Sequence, residues 1–106
     1  MKSDAIIVVS VTWPNHKKAK KALQILVKEQ LVACAQLIEN ISSYYFWGNK
    51  LTRDTECLSL LKTTNLLYKK LEKRIKELHD YKVPEIIATP SIHVSEEYKN
   101  WIRSIV

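Results

Sequence analysis

An α+β fold, an antiparallel sheet with both main helices on one face, is predicted by three features of this 106-residue chain. β-Branched runs of strand length alternate with segments whose apolar residues recur at helical spacing. A Gly48-Asn49 pair joins two long extended runs, which makes them a hairpin. The resulting order, β-α-β-β-α-β-α, is that of the split βαβ arrangement, also called ferredoxin-like.

Each element has its own signal. Residues 5–12 are a β-branched run without charge, ended by Trp13-Pro14. Asn15 is placed to cap a helix over 16–30, in which Ala19, Ala22, Leu23, Leu26 and Val27 form the apolar stripe. Residues 32–47 are again extended. Gly48-Asn49 suits a type II′ turn with glycine first, and 50–63 returns antiparallel. Asn65 is expected to cap a second helix with the stripe Leu67, Leu71, Ile75 and Leu78. Pro84 ends that region. A strand over 85–94, broken at Pro90, and a last helix over 96–105 behind Ser95, Glu96 and Glu97 complete the chain. No linker, repeat or low-complexity tract interrupts it, so 1–106 reads as one domain.

Burial pattern adds an expectation about assembly. Along 56–63 the alternating sets are Glu56, Leu58, Leu60, Lys62 and Cys57, Ser59, Leu61, Thr63. Neither is plainly polar, and residues 33–38 behave alike. Hydrophobicity on both faces means burial on both faces. In so short a chain, the second cover is expected from another subunit.

Composition excludes several function classes. With Gly48 the only glycine, Walker-type and dinucleotide-type phosphate loops are out. No apolar run reaches membrane-spanning length, and the N-terminal residues lack the pattern of a secretory signal. Cys34 and Cys57 lie in apolar runs without zinc-ribbon or disulfide-framework spacing, which reads as reduced cysteines in a cytoplasmic protein. Of the net charge of +6, segment 16–30 carries +4 and segment 66–79 carries +3. Both helices would show that charge on one side, read here as a solvated surface, with polyanion binding as the functional alternative. Aromatics gather at Tyr44, Tyr45, Phe46 and Trp47. A base-stacking sheet would need glycines and aromatics on its third strand. Residues 50–63 have neither, so nucleic acid is not the expected partner. Aromatic packing between subunits explains the cluster better.

Chemistry-bearing residues are sparse. The three histidines, His16, His79 and His93, have no metal-site spacing, although His79 heads the polar run His79-Asp80-Tyr81-Lys82-Val83-Pro84-Glu85. No serine has a nucleophile-elbow context. No catalysis is expected.

Five ordered blocks then resemble the CutA family, the divalent-cation-tolerance proteins. They are Leu31-Val32-Ala33-Cys34-Ala35, Tyr44-Tyr45-Phe46-Trp47, Asp54-Thr55-Glu56 with Leu61-Lys62-Thr63, His79 through Ile87, and Tyr98-Lys99-Asn100-Trp101-Ile102. The resemblance implies a ferredoxin-like fold assembled as a homotrimer related in architecture to the PII proteins. It also implies a link to tolerance of copper and other divalent cations. Cu(II) or another divalent cation is the implied ligand, and no cofactor is required. Family members proposed to bind copper use a cysteine ending the first strand and two adjacent histidines. Here Val11 and Leu78 stand at two of those positions, and His79 alone remains as the metal candidate. The family's acid-then-glycine after the tryptophan is Gly48-Asn49 here, and Asn49 can take the left-handed conformation.

The polar residues that match the family, Tyr45, Glu56, Lys62, His79, Tyr81 and Glu85, are implied to line an inter-subunit cleft for a small anion, metabolite or cation. Tyr44, Phe46, Trp47 and Trp101 are implied in trimer packing. The expected function is a cytoplasmic, non-catalytic trimeric binding protein linked to divalent-cation response. The alternative is a PII-like sensor or adaptor that carries a small ligand in the same clefts.

Overall fold

Strand β1 (Ile6–Trp13) is an interior strand, buried or half-buried along its length, around which the computed structural model, describing residues 4–106, is built. It lies antiparallel between β3 (Lys50–Thr64) and β4 (Ile86–Pro90), and β2 (Cys34–Trp47) pairs with the far side of β3. The sheet order is therefore β2-β3-β1-β4, the ferredoxin-like order. Helices α1 (His16–Lys28) and α2 (Tyr68–Leu78) cross over on one face, and α3 (Glu96–Ile105) follows β4.

Strand alternation separates the two faces. Ile7, Val9, Val11 and Trp13 of β1, with Cys57 and Leu61 of β3, meet Ala19, Ala22, Leu23 and Leu26 of α1 and Leu71 and Ile75 of α2 in the main core. The buried hydroxyls on that side are satisfied. Ser59 accepts from Trp13 Nε1 at 2.9 Å and donates to Val11 O, and Thr63 donates to Leu31 O at 2.8 Å. On the opposite face, α3 brings Ile102 against Ile6 and Ala33 and covers only that end of the sheet.

Local sequence accounts for the ends of the elements. The Asn15 side chain accepts from Lys18 N–H at 2.9 Å, and Ser95 from Tyr98 N–H, so both predicted caps are present. Helix α1 stops at Lys28 rather than residue 30, because Gln30 turns left-handed at φ 57°. Its N–H then bonds Val27 O and that of Leu31 bonds Leu26 O, the double closure of a Schellman motif.

Four sequence expectations are corrected. Asn65 does not cap a helix but opens a 3₁₀ turn, Asn65–Leu67, and α2 starts at Tyr68 without a side-chain cap. The hairpin turn is not type II′: Gly48 and Asn49 have φ of 55° and 64°, the two positive values of type I′, because asparagine tolerates the left-handed region. The strand expected over 85–94 is confined to Ile86–Pro90: Pro90 brings no N–H of its own, and pairing with β1 ends after one more bond, from Ser91 N–H to Ile6 O at 3.2 Å. The second strand begins at Cys34, not at residue 32.

A β-bulge in β2 was not anticipated. Ile38 pairs with Leu58 and Ile41 with Glu56, so Glu39 and Asn40 together oppose Cys57, and Asn40 is left-handed at φ 58°. Before the bulge, Ala35 and Leu37 lean on the helix-side core. After it, Ile41, Ser43 and Tyr45 share the open face with Glu56 and Asp54. Beyond the bulge β3 also leaves β1, whose last pair is Trp13 with Cys57. The remaining hairpin is a two-stranded arm that stretches the molecule to 45 Å in its long dimension.

Candidate functional site

The carboxyl end of β1 is where the chemistry-bearing side chains meet. His79, directly after α2, stacks on Trp13 with ring centroids 4.5 Å apart and an interplanar angle of 17°. Its Nε2 lies 2.6 Å from Thr12 O, and its Nδ1 is 3.1 Å from the Tyr81 backbone nitrogen. A carbonyl only accepts and a backbone N–H only donates. The ring is therefore the Nε2–H tautomer, with both nitrogens engaged. Tyr81 then donates its hydroxyl to Glu56 Oε2 at 2.9 Å on the open face.

Two phenol–carboxylate pairs lie side by side there. Tyr45 donates to Asp54, and Tyr81 to Glu56, whose side chain is buried while its neighbours are more open. Loss of solvent contact, then the Glu56 bond, pushes the Tyr81 phenol above its ordinary pKa. The bond to Asp54 raises Tyr45 in the same direction. Both hydroxyls therefore remain donors through the neutral range.

The sign of the Tyr81 effect gives a test. A raised folded-state pKa stabilises the fold fully below the ordinary phenol value of 10.0, and this contribution is lost as pH rises through the folded value. Denaturant unfolding on either side of that pH is expected to show wild type losing stability more steeply than Tyr81→Phe. The variant is expected to be about 1–2 kcal/mol weaker below it, having left a buried carboxylate without its donor. Equal slopes would contradict the assignment.

The implied cleft residues do not all converge within one chain. Tyr45, Glu56, His79 and Tyr81 do, and Asp54, named above only as part of a family block and not among the cleft residues, joins them. Glu85 precedes β4, exposed and without a hydrogen bond or ion pair among the described residues. Lys62 sits six residues further along β3, about 20 Å from Glu56 at the usual strand rise. There it is flanked by Val8 and Cys34 and bonded to the Gln36 side chain. Thr12 and Trp13, the seat of His79, carried no sequence signal of that role.

The metal-candidate positions have a definite environment. Val11 is fully buried in the main core and Leu78 packs against it, so neither opens onto a ligand. His16 pairs with Glu39 at the bulge, and His93 is exposed. Among the described residues, no three His, Cys, Asp or Glu side chains form a cluster able to hold a metal ion. Of the aromatics implied in packing, Tyr44, Phe46 and Trp47 project from the arm, the last two each 76% exposed. Trp101 stacks on Tyr98 at 5.7 Å on α3.

Comparison with known proteins agrees with this architecture. The chain is 40% identical over 96 residues to the divalent-cation tolerance protein CutA of Thermus thermophilus, covering 91% of this chain and 93% of that one. It is 41% identical over 97 residues to the corresponding protein of Pyrococcus horikoshii, covering 92% and 94%. The crystal structure of CutA1 from Oryza sativa superposes with a TM-score of 0.94 at 34% identity, covering 96% of this chain and 94% of that one. The family model for the CutA1 divalent ion tolerance protein matches residues 7–105, and the chain belongs to that family.

Proposed function

We propose that this divalent-cation tolerance protein is a non-catalytic homotrimeric binding protein of the cytoplasm, with ligand clefts between its subunits. The observation that carries the reading is the half-covered sheet. Helix α3 shields one end of the open face, while Ile38 and Ile87 remain exposed on it beside the half-buried Val8, Leu58 and Leu60. A contiguous apolar patch of this kind marks an interaction surface. The arm needs support for the same reason, since an isolated two-stranded hairpin is at best marginally stable in water. Unpaired Cys34 and Cys57 suit a reducing compartment.

Cu(II) is the divalent ion proposed for it, with His79 as the imidazole at the cleft end. Imidazole suits Cu(II), but Nδ1 becomes a ligand only by releasing the Tyr81 N–H. Calorimetric titration of Cu(II) into tag-free protein, beside His79→Ala and with the trimer checked by light scattering, tests both parts. Saturable binding at micromolar or tighter affinity, lost in the variant, is the expected result. Weak binding unchanged in His79→Ala would remove copper from the proposal. The second reading, a PII-like sensor or adaptor carrying a small ligand, would then lead. It is favoured by the full engagement of both His79 nitrogens.

A further inference from the structure

The outer face of the helix layer is strongly basic. Turned away from the core, α1 shows Lys17, Lys20, Lys21 and Lys28, and α2 shows Lys69, Lys70 and Lys73, all exposed. The acids nearby are already engaged. Glu29 and Glu77 pair with Arg74, Glu72 with Lys76 and Asp80 with Lys18, so those lysines form no ion pair among the described residues. The Arg74–Glu29 bridge also ties the two helices side by side and makes their outer faces one surface. The arrangement works against the helices themselves. Lys17 with Lys21, and Lys69 with Lys73, are like charges four residues apart. Neither helix has an acid in its first turn, where the dipole favours one, and both have lysines there.

We propose that this face docks on the phosphate backbone of duplex nucleic acid, on the side of the sheet opposite the open face. The occupant follows from charge and shape. From Lys17 to Lys28 the helix runs about 16 Å, over which a duplex presents about nine phosphate charges. A polyanion laid along the lysines removes their mutual repulsion and gives both first turns the negative charge they lack. A second copy cannot take this place, since its own helix face carries the same sign. An anionic membrane surface calls for apolar side chains that enter the lipid. The outward stripes carry none: the helices' apolar stripes are in the core, Val27 turns to the flank beside Ala35, and the exposed Leu66 stands alone before α2. A single strand calls for aromatics on which bases stack, and the outward residues of both helices include none. Lysine ammoniums act as point charges, so the contact reads phosphate and not sequence. The sheet offers bases no stacking platform, while the helices offer phosphates a charged one. Because the helix face is exposed in the single chain, the contact does not depend on the trimer.

Fluorescence anisotropy of a labelled DNA duplex of about 24 base pairs and arbitrary sequence, titrated with tag-free protein, tests the contact. Micromolar binding at about 50 mM salt is expected, weakening about 100-fold or more by about 200 mM, the dependence for four or more neutralised phosphates. A triple variant, Lys17→Gln with Lys21→Gln and Lys28→Gln, is expected to bind about 10-fold or more weakly and to flatten the salt slope by about two to three units. Arginine at the same three positions is expected to bind like wild type, and Lys50→Gln, beside the hairpin turn, to change neither quantity. Circular dichroism checks that the variants are folded. No binding at the lower salt, an affinity insensitive to salt, or a glutamine variant that binds like wild type overturns the proposal. So does protein that sediments with phosphatidylglycerol vesicles at a salt where it ignores the duplex, which would give the face to a lipid surface.

Discussion

Replacing Trp13 with alanine is expected to destabilise the chain by about 3–5 kcal/mol, the cost of emptying a large aromatic site in a packed core. Trp13 is essentially inaccessible, ends the interior strand and touches both helical and strand contributions to the core. Three losses coincide. The cavity forgoes packing, Ser59 loses the indole donor, and His79 loses the plane on which it stacks. Denaturant unfolding measures the first two as a shift of the midpoint. The third would appear as a changed environment of the Tyr81 phenol, because His79 and Tyr81 belong to one run of hydrogen bonds. A variant within 1 kcal/mol of wild type would contradict the core assignment, since even a methylene is felt at interior packing density.

Deleting Asn40 is expected to be equally severe, though for assembly of the proposed trimer rather than for packing. The type I′ turn pins the register of the arm, while Ala35 and Leu37 pin the other half of β2 to the core. The extra residue reconciles the two. Without it, one half of β2 must show its wrong face, because side chains alternate with a period of two. Either Ala35 and Leu37 leave the core, or Tyr45 leaves the face of Asp54 and Glu56. Loss of the oligomer by light scattering, with circular dichroism retained, is the expected outcome of the second route. Asn40→Gly is expected to preserve assembly, as glycine takes the left-handed backbone freely. An assembled deletion variant would show that the bulge has no part in presenting the face.

The legibility of this chain follows its periodicities. Helices α1 and α2 were readable because apolar residues at helical spacing leave little choice of face, and α3 because Ser95, Glu96 and Glu97 mark its start; Asn15 caps α1 and Ser95 caps α3. Asn65 misled because the chain spends Asn65–Leu67 on a 3₁₀ turn before α2 begins. The bulge was illegible for a related reason. Residues on both sides of Glu39-Asn40 are extended and mixed in polarity, so an insertion of one residue leaves no break in the alternation. At the site, Tyr45, Glu56, His79 and Tyr81 were named from family blocks, and the fold brings those four together. Lys62 was named with them, although counting six residues along an extended strand already separates it from Glu56. The seat of His79 depends on the Thr12 carbonyl, and main-chain acceptors leave no mark on the sequence.

The arm also places a demand on the newly made chain. Beyond Cys57, β3 has no β1 beside it, and β2 is an outer strand throughout, so both long edges of the arm over residues 41–56 are open. Open edges with exposed Phe46, Trp47 and Leu51 are templates for promiscuous strand pairing. If the chain assembles into the proposed trimer, the window between folding and capture by its neighbours is the period of greatest aggregation risk. Dilution prolongs that window and rapid local synthesis shortens it, so yield in the cell depends on how fast copies meet as well as on how stable each one is.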